Sequence, residues 1–388
     1  QFAASRPADG TDAVGGAVSG FPAPLGYRVD CRNLTTAQTV GFATAAVAWD
    51  CEAEGLIVTA GDRLWQGVRG ELESEVTFEE HVLSSEAGVS VVGADLDGDG
   101  DTDVITGSDS GEEIFWFEND GGERPAFTTR TFTTSADEVS CLQAADMDGD
   151  TDVDLVLAST GDDKVLWFLN TGGSPPVFAE LVISTDVDGP RSVYPADVDG
   201  DGDTDVVTAS STDSTIAWFE NDGTEVPGFT KRVIASALFA DSAFAADMDG
   251  DGDIDVLSGS AGGQPVRWYE NDGGAPPTFT PREIPTQFGE ADSVHATDVD
   301  GDGDTDVVVA FNPSPVGDAI AWFDNDGATP PQFVERTIST DVNQPRAVFA
   351  ADLDGDGDTD VLSASQGDDT IAWYENDGEA VPAFTQRA

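Results

Sequence analysis

Short β-branched runs separated by small polar turns fill this chain from about residue 48 to its end, and no stretch carries helical periodicity. One cycle of the pattern has a fixed order. A run such as VVTAS at 206–210 or VLSAS at 361–365 ends in a polar turn, and a second run then closes on an aromatic pair and an acidic turn. That closing signature is WFENDG at 116–121, WFLNTG at 167–172, WFENDG at 218–223, WYENDG at 268–273, WFDNDG at 322–327 and WYENDG at 373–378. A Pro-x-Phe turn, as in PAFTTR at 125–130 and PGFTKR at 227–232, opens a third run. A fourth, such as SVYPAD at 192–197, leads into a loop of aspartate and glycine. Gly, Asn, Asp and Pro mark the turns, so each cycle predicts four short strands.

The aspartate loops set the period. They read DLDGDGDTDV at 95–104, DMDGDTDVDL at 146–155, DVDGDGDTDV at 197–206, DMDGDGDIDV at 247–256, DVDGDGDTDV at 298–307 and DLDGDGDTDV at 352–361. Their first aspartates are 51, 51, 50, 51 and 54 residues apart. A repeat of this size with four strands predicts an all-β fold, a β-propeller of four-stranded antiparallel blades. The recurring Trp then belongs to packing between blades rather than to a cofactor box. Upstream, AWDCEAEGLIVTA at 48–60 aligns with a loop and its following strand. There Asp50, Glu52 and Glu54 hold three aspartate places, Ala48 and Leu56 replace the first and last, and Trp65 and Phe78 stand in for the aromatics. The expectation is therefore a seven-bladed β-propeller over 27–388 with calcium loops in six blades.

The loop chemistry carries that metal expectation. Carboxylates at the first, third, fifth and ninth positions, with a backbone carbonyl at the seventh, form an all-oxygen set that favours calcium over zinc, copper or magnesium. Glycines at the fourth and sixth positions allow the positive-φ turns that wrap an ion. Thr151 takes the sixth position of the second loop, which is expected to be strained. An EF-hand needs flanking helices and a Glu at the twelfth position, whereas Thr106 and Thr208 stand there in the first and third loops.

The D-x-D-G-D-G-D-x-D-V loop and its W-F/Y-E-N-D-G partner resemble the FG-GAP and VCBS repeats of integrin α-subunit-like β-propellers and of many secreted microbial proteins. The resemblance covers roughly 40–388. It implies about six calcium ions per chain, with metal residues Asp95, Asp97, Asp99, Asp101 (through its carbonyl) and Asp103 in the first loop. The matching sets are Asp146, Asp148, Asp150, Asp152 and Asp154; Asp197, Asp199, Asp201, Asp203 and Asp205; Asp247, Asp249, Asp251, Asp253 and Asp255; Asp298, Asp300, Asp302, Asp304 and Asp306; and Asp352, Asp354, Asp356, Asp358 and Asp360. It implies little about activity, because the scaffold serves adhesion, assembly and sometimes sugar chemistry.

A formal charge of −60, from 76 acidic residues against 16 Lys and Arg, excludes nucleic acid and anionic membrane surfaces as partners. No apolar run is long enough for a membrane-spanning helix. Residue 1 is Gln, as in a mature N-terminus after signal cleavage. With three cysteines, the expectation is a disulfide between Cys31 and Cys51 and a buried, inert Cys141. Asn33 lies in the one N-glycosylation sequon.

Residues 1–26 read as an extended arm with apolar anchors Phe2, Val14, Val18 and Phe21, able to reach a neighbouring subunit. Residues 27–36 read as a strand that pairs near 384–388 to close the ring. Catalytic signatures are absent. His295 is expected in the core or lining the channel, and His81 offers no motif. These readings lead to a non-enzymatic, extracellular or cell-surface, calcium-stabilised propeller acting in adhesion or assembly, as the structural subunit of a filament. The alternatives are a carbohydrate-binding propeller, with Tyr194, Phe239, Phe288 and Phe311 as platforms, and a polysaccharide-degrading enzyme.

Overall fold

The fold is taken from a computed structural model. It describes residues 88–387 apart from 109–112, 123–124, 225–227 and 313–316, and upstream residue 83 and the backbone of four strands within 45–80. Residues 88–387 fold as six four-stranded antiparallel sheets in simple meander order. These blades span 88–133, 139–184, 190–236, 240–283, 291–339 and 345–387. In blade 3 the strands run, from the innermost outward, Pro190–Ala196, Asp205–Ser210, Thr215–Asn221 and Phe229–Ser236. Inner strands of successive blades stand side by side.

The burial of each strand explains the sequence pattern. The second strand, such as DVVTAS at 205–210, is buried at every position because a neighbouring blade covers each face. That is why it reads as a continuous apolar run. The outer strand Phe229–Ser236 is only half-buried, and polar residues are interleaved along it. Among the described residues, five hydrophobic cores between blades share one recurring geometry. Trp116 packs with Leu155 and Phe168 of the next blade, Trp167 with Val206 and Phe219, Trp218 with Val256 and Tyr269, Trp268 with Val307 and Phe323, and Trp322 with Val361 and Tyr374. The aromatic pair is thus one inter-blade joint: its Trp reaches forward and its Phe or Tyr receives the Trp behind. Truncating such a Trp costs about 3–5 kcal/mol.

The expected seven-bladed propeller is corrected to six repeat blades. The upstream strands Ala45–Asp50, Gly55–Ala60, Arg63–Arg69 and Val76–Glu80 form a four-stranded sheet of their own, but 48–56 is not an eroded copy of the loop. Strand pairing runs straight into that segment, with Ala48 opposite Ile57 and Asp50 opposite Gly55. Only four residues are left to connect the strands. The physical reason is the ninth residue. In the repeats a buried aspartate there draws backbone N–H groups into a wide loop, and Leu56 offers no such acceptor. The last blade is completed by its own outer strand, Phe384–Arg387. Residues 1–44, including the arm, the closing strand, Asn33 and Cys31, lie outside the described residues, as do Cys51 and His81.

Each inner strand also carries a β-bulge near its start. The register slips by one residue at positions 89, 140, 191, 241, 292 and 346. A bulged residue has no opposite number and its side chain is re-aimed out of the alternation.

Candidate functional site

The six aspartate loops join each inner strand to the second strand of its blade, so they gather on one face of the propeller. The first aspartate organises the turn. Asp95 Oδ1 accepts from Gly98 N at 2.8 Å and Asp99 N at 3.1 Å, and its Oδ2 accepts from Gly100 N at 3.0 Å. Asp247 repeats this at 2.8, 3.1 and 2.9 Å. Reaching the first aspartate requires the sixth residue to take positive φ: Gly100 has +100° and Thr151 has +80°. Thr151 N still donates to Asp146 Oδ2 at 3.0 Å, so the second loop keeps its wrap under the strain expected for a side chain at that position.

The ninth aspartate ties the loop to the sheet. Asp205 is fully buried, with Oδ2 accepting from Val198 N at 3.0 Å and Oδ1 from Asn221 N at 2.7 Å. Burial pushes the carboxyls of Asp103, Asp154, Asp205, Asp255 and Asp360 up to about 7 and that of Asp306 up to about 8, against these hydrogen bonds. The third aspartates are pushed up by burial and then by neighbouring carboxylates. Asp99 and Glu118 act on Asp97, and Asp251 and Glu270 act on Asp249.

The structure brings together the first, third and fifth, or the first, third and ninth, carboxylates. In each of the sets Asp95, Asp97, Asp99; Asp146, Asp148, Asp154; Asp197, Asp199, Asp205; Asp247, Asp249, Asp251; and Asp298, Asp300, Asp302, the oxygens lie within 4.8 Å of one another. In the sixth loop burial first, and then the carboxylates of Asp356 and Asp352, push Asp354 up to about 6. The seventh aspartates are in none of the five sets. Their side chains lie against the glycine of the following acidic turn instead: a Cβ built on Gly223 would stand 2.0 Å from Asp203 Oδ2, and one on Gly378 2.2 Å from Asp358 Oδ2.

These residues fit a hard cation. Oδ1 of Asp97, Asp197, Asp199 and Asp249 is shut off from solvent and accepts no hydrogen bond. A buried carboxylate oxygen without a donor is costly, and a metal ion relieves that cost without a donor. The all-oxygen set is of the kind calcium takes.

Sequence reasoning passed over the asparagine of the aromatic signature. Asn271 is 2 % exposed and fully bonded. Its Nδ2 donates to Ile254 O of its own loop and to Val198 O of the preceding blade's loop, both at 2.9 Å, and its Oδ1 accepts from Gly273 N at 3.0 Å. Asn170, Asn221, Asn325 and Asn376 make the same bridge to Leu96, Met147, Met248 and Val299. Each asparagine therefore holds two aspartate loops in register across a blade joint. The acid before it pairs with the outer strand: Arg232 Nε donates to Glu220 at 2.8 Å, Arg282 Nε to Glu270 at 2.8 Å and Arg336 Nε to Asp324 at 2.9 Å. In blade 2 Leu169 replaces the acid and packs with Leu181 in the same core.

The opposite face holds the second constellation. Inner-strand bulges put Arg191, Asp241, Asp292 and Arg346 on four consecutive blades. Three residues further along lie Tyr194, Phe244, His295 and Phe349, whose ring centroids are 4.4, 4.9 and 5.1 Å apart in succession. His295 is fully buried with neither nitrogen hydrogen-bonded, and burial pulls it down to about 4. This agrees with a channel or core position. Cys141 is buried and free, its Sγ 3.7 Å from Val193 O, and burial pushes the thiol up to about 11. Of the aromatic platforms, Phe311 is fully buried under Phe288, with centroids 5.1 Å apart, and Tyr194 packs on Phe244; Phe239 is 52 % exposed.

Solved structures share the fold. A lectin of Agrocybe aegerita, determined for its recognition of non-reducing terminal N-acetylglucosamine, aligns over 90% of both chains with a TM-score of 0.59 and 20% identity. A Bacteroides uniformis protein provisionally assigned as a 6-phosphogluconolactonase aligns over 84% of this chain and 97% of its own, with a TM-score of 0.54 and 12% identity. At such identities the likeness shows the fold alone. No curated protein matches in sequence. The FG-GAP-like repeat matches six times, at residues 95–157, 146–208, 197–258, 247–309, 298–363 and 352–387, each match running from one aspartate loop through the next where the chain continues. The chain belongs to the FG-GAP-like repeat family.

Proposed function

We propose that this protein is a non-catalytic, extracellular binding propeller, stabilised by calcium in its six loops, that acts in adhesion or assembly. The observation that carries the reading is the set of donor-free, buried Oδ1 atoms on Asp97, Asp197, Asp199 and Asp249. Calcium would be held by the first, third, fifth and ninth aspartates with the seventh carbonyl. It would supply charge neutralisation rather than reaction chemistry. The acid-rich face would then be structural, leaving the other face and the arm at 1–26 for partners, including further copies of the chain in a filament.

Metal analysis after dialysis should give six ions per chain. At a hundredfold excess over its dissociation constant each ion contributes about 2.7 kcal/mol, so chelation should lower the melting temperature steeply and reversibly. An unchanged melt after verified removal defeats the calcium reading. Electron microscopy of the protein in calcium tests assembly, and monodisperse single propellers would count against a filament. A second reading, glycan binding, is supported by the exposed ring of Phe239 and by the fold shared with the Agrocybe aegerita lectin.

A further inference from the structure

The charged arc opposite the aspartate loops takes no part in the metal chemistry. It stands six residues along the inner strand from the loops, about 20 Å away. We propose that Arg191, Asp241, Asp292 and Arg346, together with Phe239, form a binding site for an uncharged sugar residue. This assignment rests on the reading of the propeller as a binder rather than an enzyme.

The backbone supplies the first argument. Inner strands pack at the centre of a propeller, where a charged side chain in regular alternation would be driven into the core. The bulge removes these four residues from the alternation: Arg191 is exposed, Asp241 and Arg346 are half-buried, and Asp292 is buried behind Arg346. In blade 2 the bulged residue is Ser140, whose Oγ donates to Pro190 O at 2.7 Å and so serves a blade joint. The charged positions have been given another task.

Three of the four side chains are also held in place by hydrogen bonds. Asp292 is 4 % exposed, and its Oδ2 accepts from Arg346 Nη1 at 2.8 Å and Asn312 Nδ2 at 3.1 Å. Arg346 Nε is held in turn by Gln366 Oε1 at 3.1 Å. Asp241 Oδ2 accepts from Ala261 N at 3.2 Å, and both guanidinium groups act on that carboxylate. Arg191 is exposed and, among the described residues, makes one long contact, to Ser211 Oγ at 3.4 Å, which leaves its other N–H groups for a ligand. The three held side chains are preorganised and lose little freedom on binding.

Charge selects the ligand class. Two guanidinium groups and two carboxylates cancel, and Glu290 adds a further negative charge near Asp241. An anion would meet these carboxylates on a chain of net charge −60, and a cation would meet the guanidinium groups. Sugar hydroxyls both donate and accept, which matches an arc of two carboxylates flanked by two guanidinium groups. Phe239 and Leu238, 52 % and 47 % exposed just before Asp241, supply an apolar surface for the C–H face of a sugar ring. Burial pushes the carboxyls of Asp241 and Asp292 up, Asp292 to about 6, despite the guanidinium groups nearby. Hydroxyl donors from a ligand would offset that cost.

The test is a glycan array carrying neutral, uronate, sulfated and amino sugars, probed with the full chain in calcium, with hits measured by calorimetry. Arg191→Ala, Asp241→Asn and Phe239→Ala are measured beside it, each first shown to melt like the parent. A neutral sugar should bind, and Arg191→Ala and Asp241→Asn should each weaken it by about tenfold or more. No neutral-sugar binding, binding confined to charged sugars, or binding indifferent to all three substitutions would overturn the proposal. Conversion of a bound sugar that still depends on these residues would uphold the site and sink the non-catalytic reading. A wrong calcium count would leave the site standing.

Discussion

Replacing Asn271 by alanine should destabilise the protein by about 3 kcal/mol and loosen two aspartate loops at once. The side chain makes three hydrogen bonds: to Val198 O and Ile254 O at 2.9 Å and from Gly273 N at 3.0 Å. Its backbone N–H, bonded to Asp255 Oδ1 at 2.7 Å, survives the substitution. A buried hydrogen bond contributes about 1 kcal/mol net, and a carbonyl left dry costs more. Three such losses set the magnitude. The location sets the second effect. Val198 is the second residue of the loop at 197–205 and Ile254 the eighth of the loop at 247–255, so removing one side chain loosens loops on two blades. Urea titration in saturating calcium reads the stability, and calorimetric titration of the metal-free protein reads the loops. Two of the proposed six sites should lose affinity and the other four should not. Asn271→Asp keeps the acceptor for Gly273 but sets a carboxylate against two carbonyls, so it should be at least as damaging. A stability loss below about 0.5 kcal/mol, or one weakened site instead of two, would show that the asparagine is not the bridge between blades.

Two further outcomes follow from the geometry. Gly223 has φ +61° and a Cβ there would stand 2.0 Å from Asp203 Oδ2, whereas Gly200 has φ +71° with open space around it. Gly223→Ala should therefore lower the melting temperature more than Gly200→Ala, which bears only the conformational cost of about 1–2 kcal/mol; equal shifts would mean the contact is slack. His295 has its folded pKa pulled down from 6.5 to about 4 by burial alone. The unfolded chain then binds more protons between those values, so this residue removes stability as pH falls through the window. Going from about pH 7 to about pH 5 the loss is about 2 kcal/mol. His295→Phe, matching Phe244 and Phe349 at the same strand position, should abolish that part of the slope, and parallel pH profiles for the two proteins would refute it.

How far the sequence discloses this molecule depends on whether a feature is written in residue type or in backbone path. The aspartate loops and the Trp-Phe joints were legible because both need particular side chains every fifty residues or so: carboxylates to wrap a turn, and a large ring to fill the space between blades. Even there the division of labour within the signature was hidden. Trp218 and Asn221 stand three residues apart, yet one fills a core and the other ties two loops, and the asparagine was masked by its aromatic neighbours. The upstream segment misled for the opposite reason. Acidic residues at alternate positions imitate a loop, but without the buried ninth carboxylate the strands simply zip up as far as Asp50 and Gly55. Phe311 looked like a platform because an aromatic ring beside a turn reads as exposed, yet it ends a fully buried second strand and packs between Phe288 and Phe323.

The bulged arc was the least legible part. A slip in register has no residue of its own: positions 191, 241, 292 and 346 carry Arg, Asp, Asp and Arg, which a search for repeats discards as variation. That variation is itself informative. Positions that maintain a repeat must agree from blade to blade, as the ninth aspartates do. Positions that contact an asymmetric ligand on the axis must differ, because each blade meets another part of it. On a propeller the fold is therefore read from what recurs, and the binding surface from what fails to recur at a place where the backbone does.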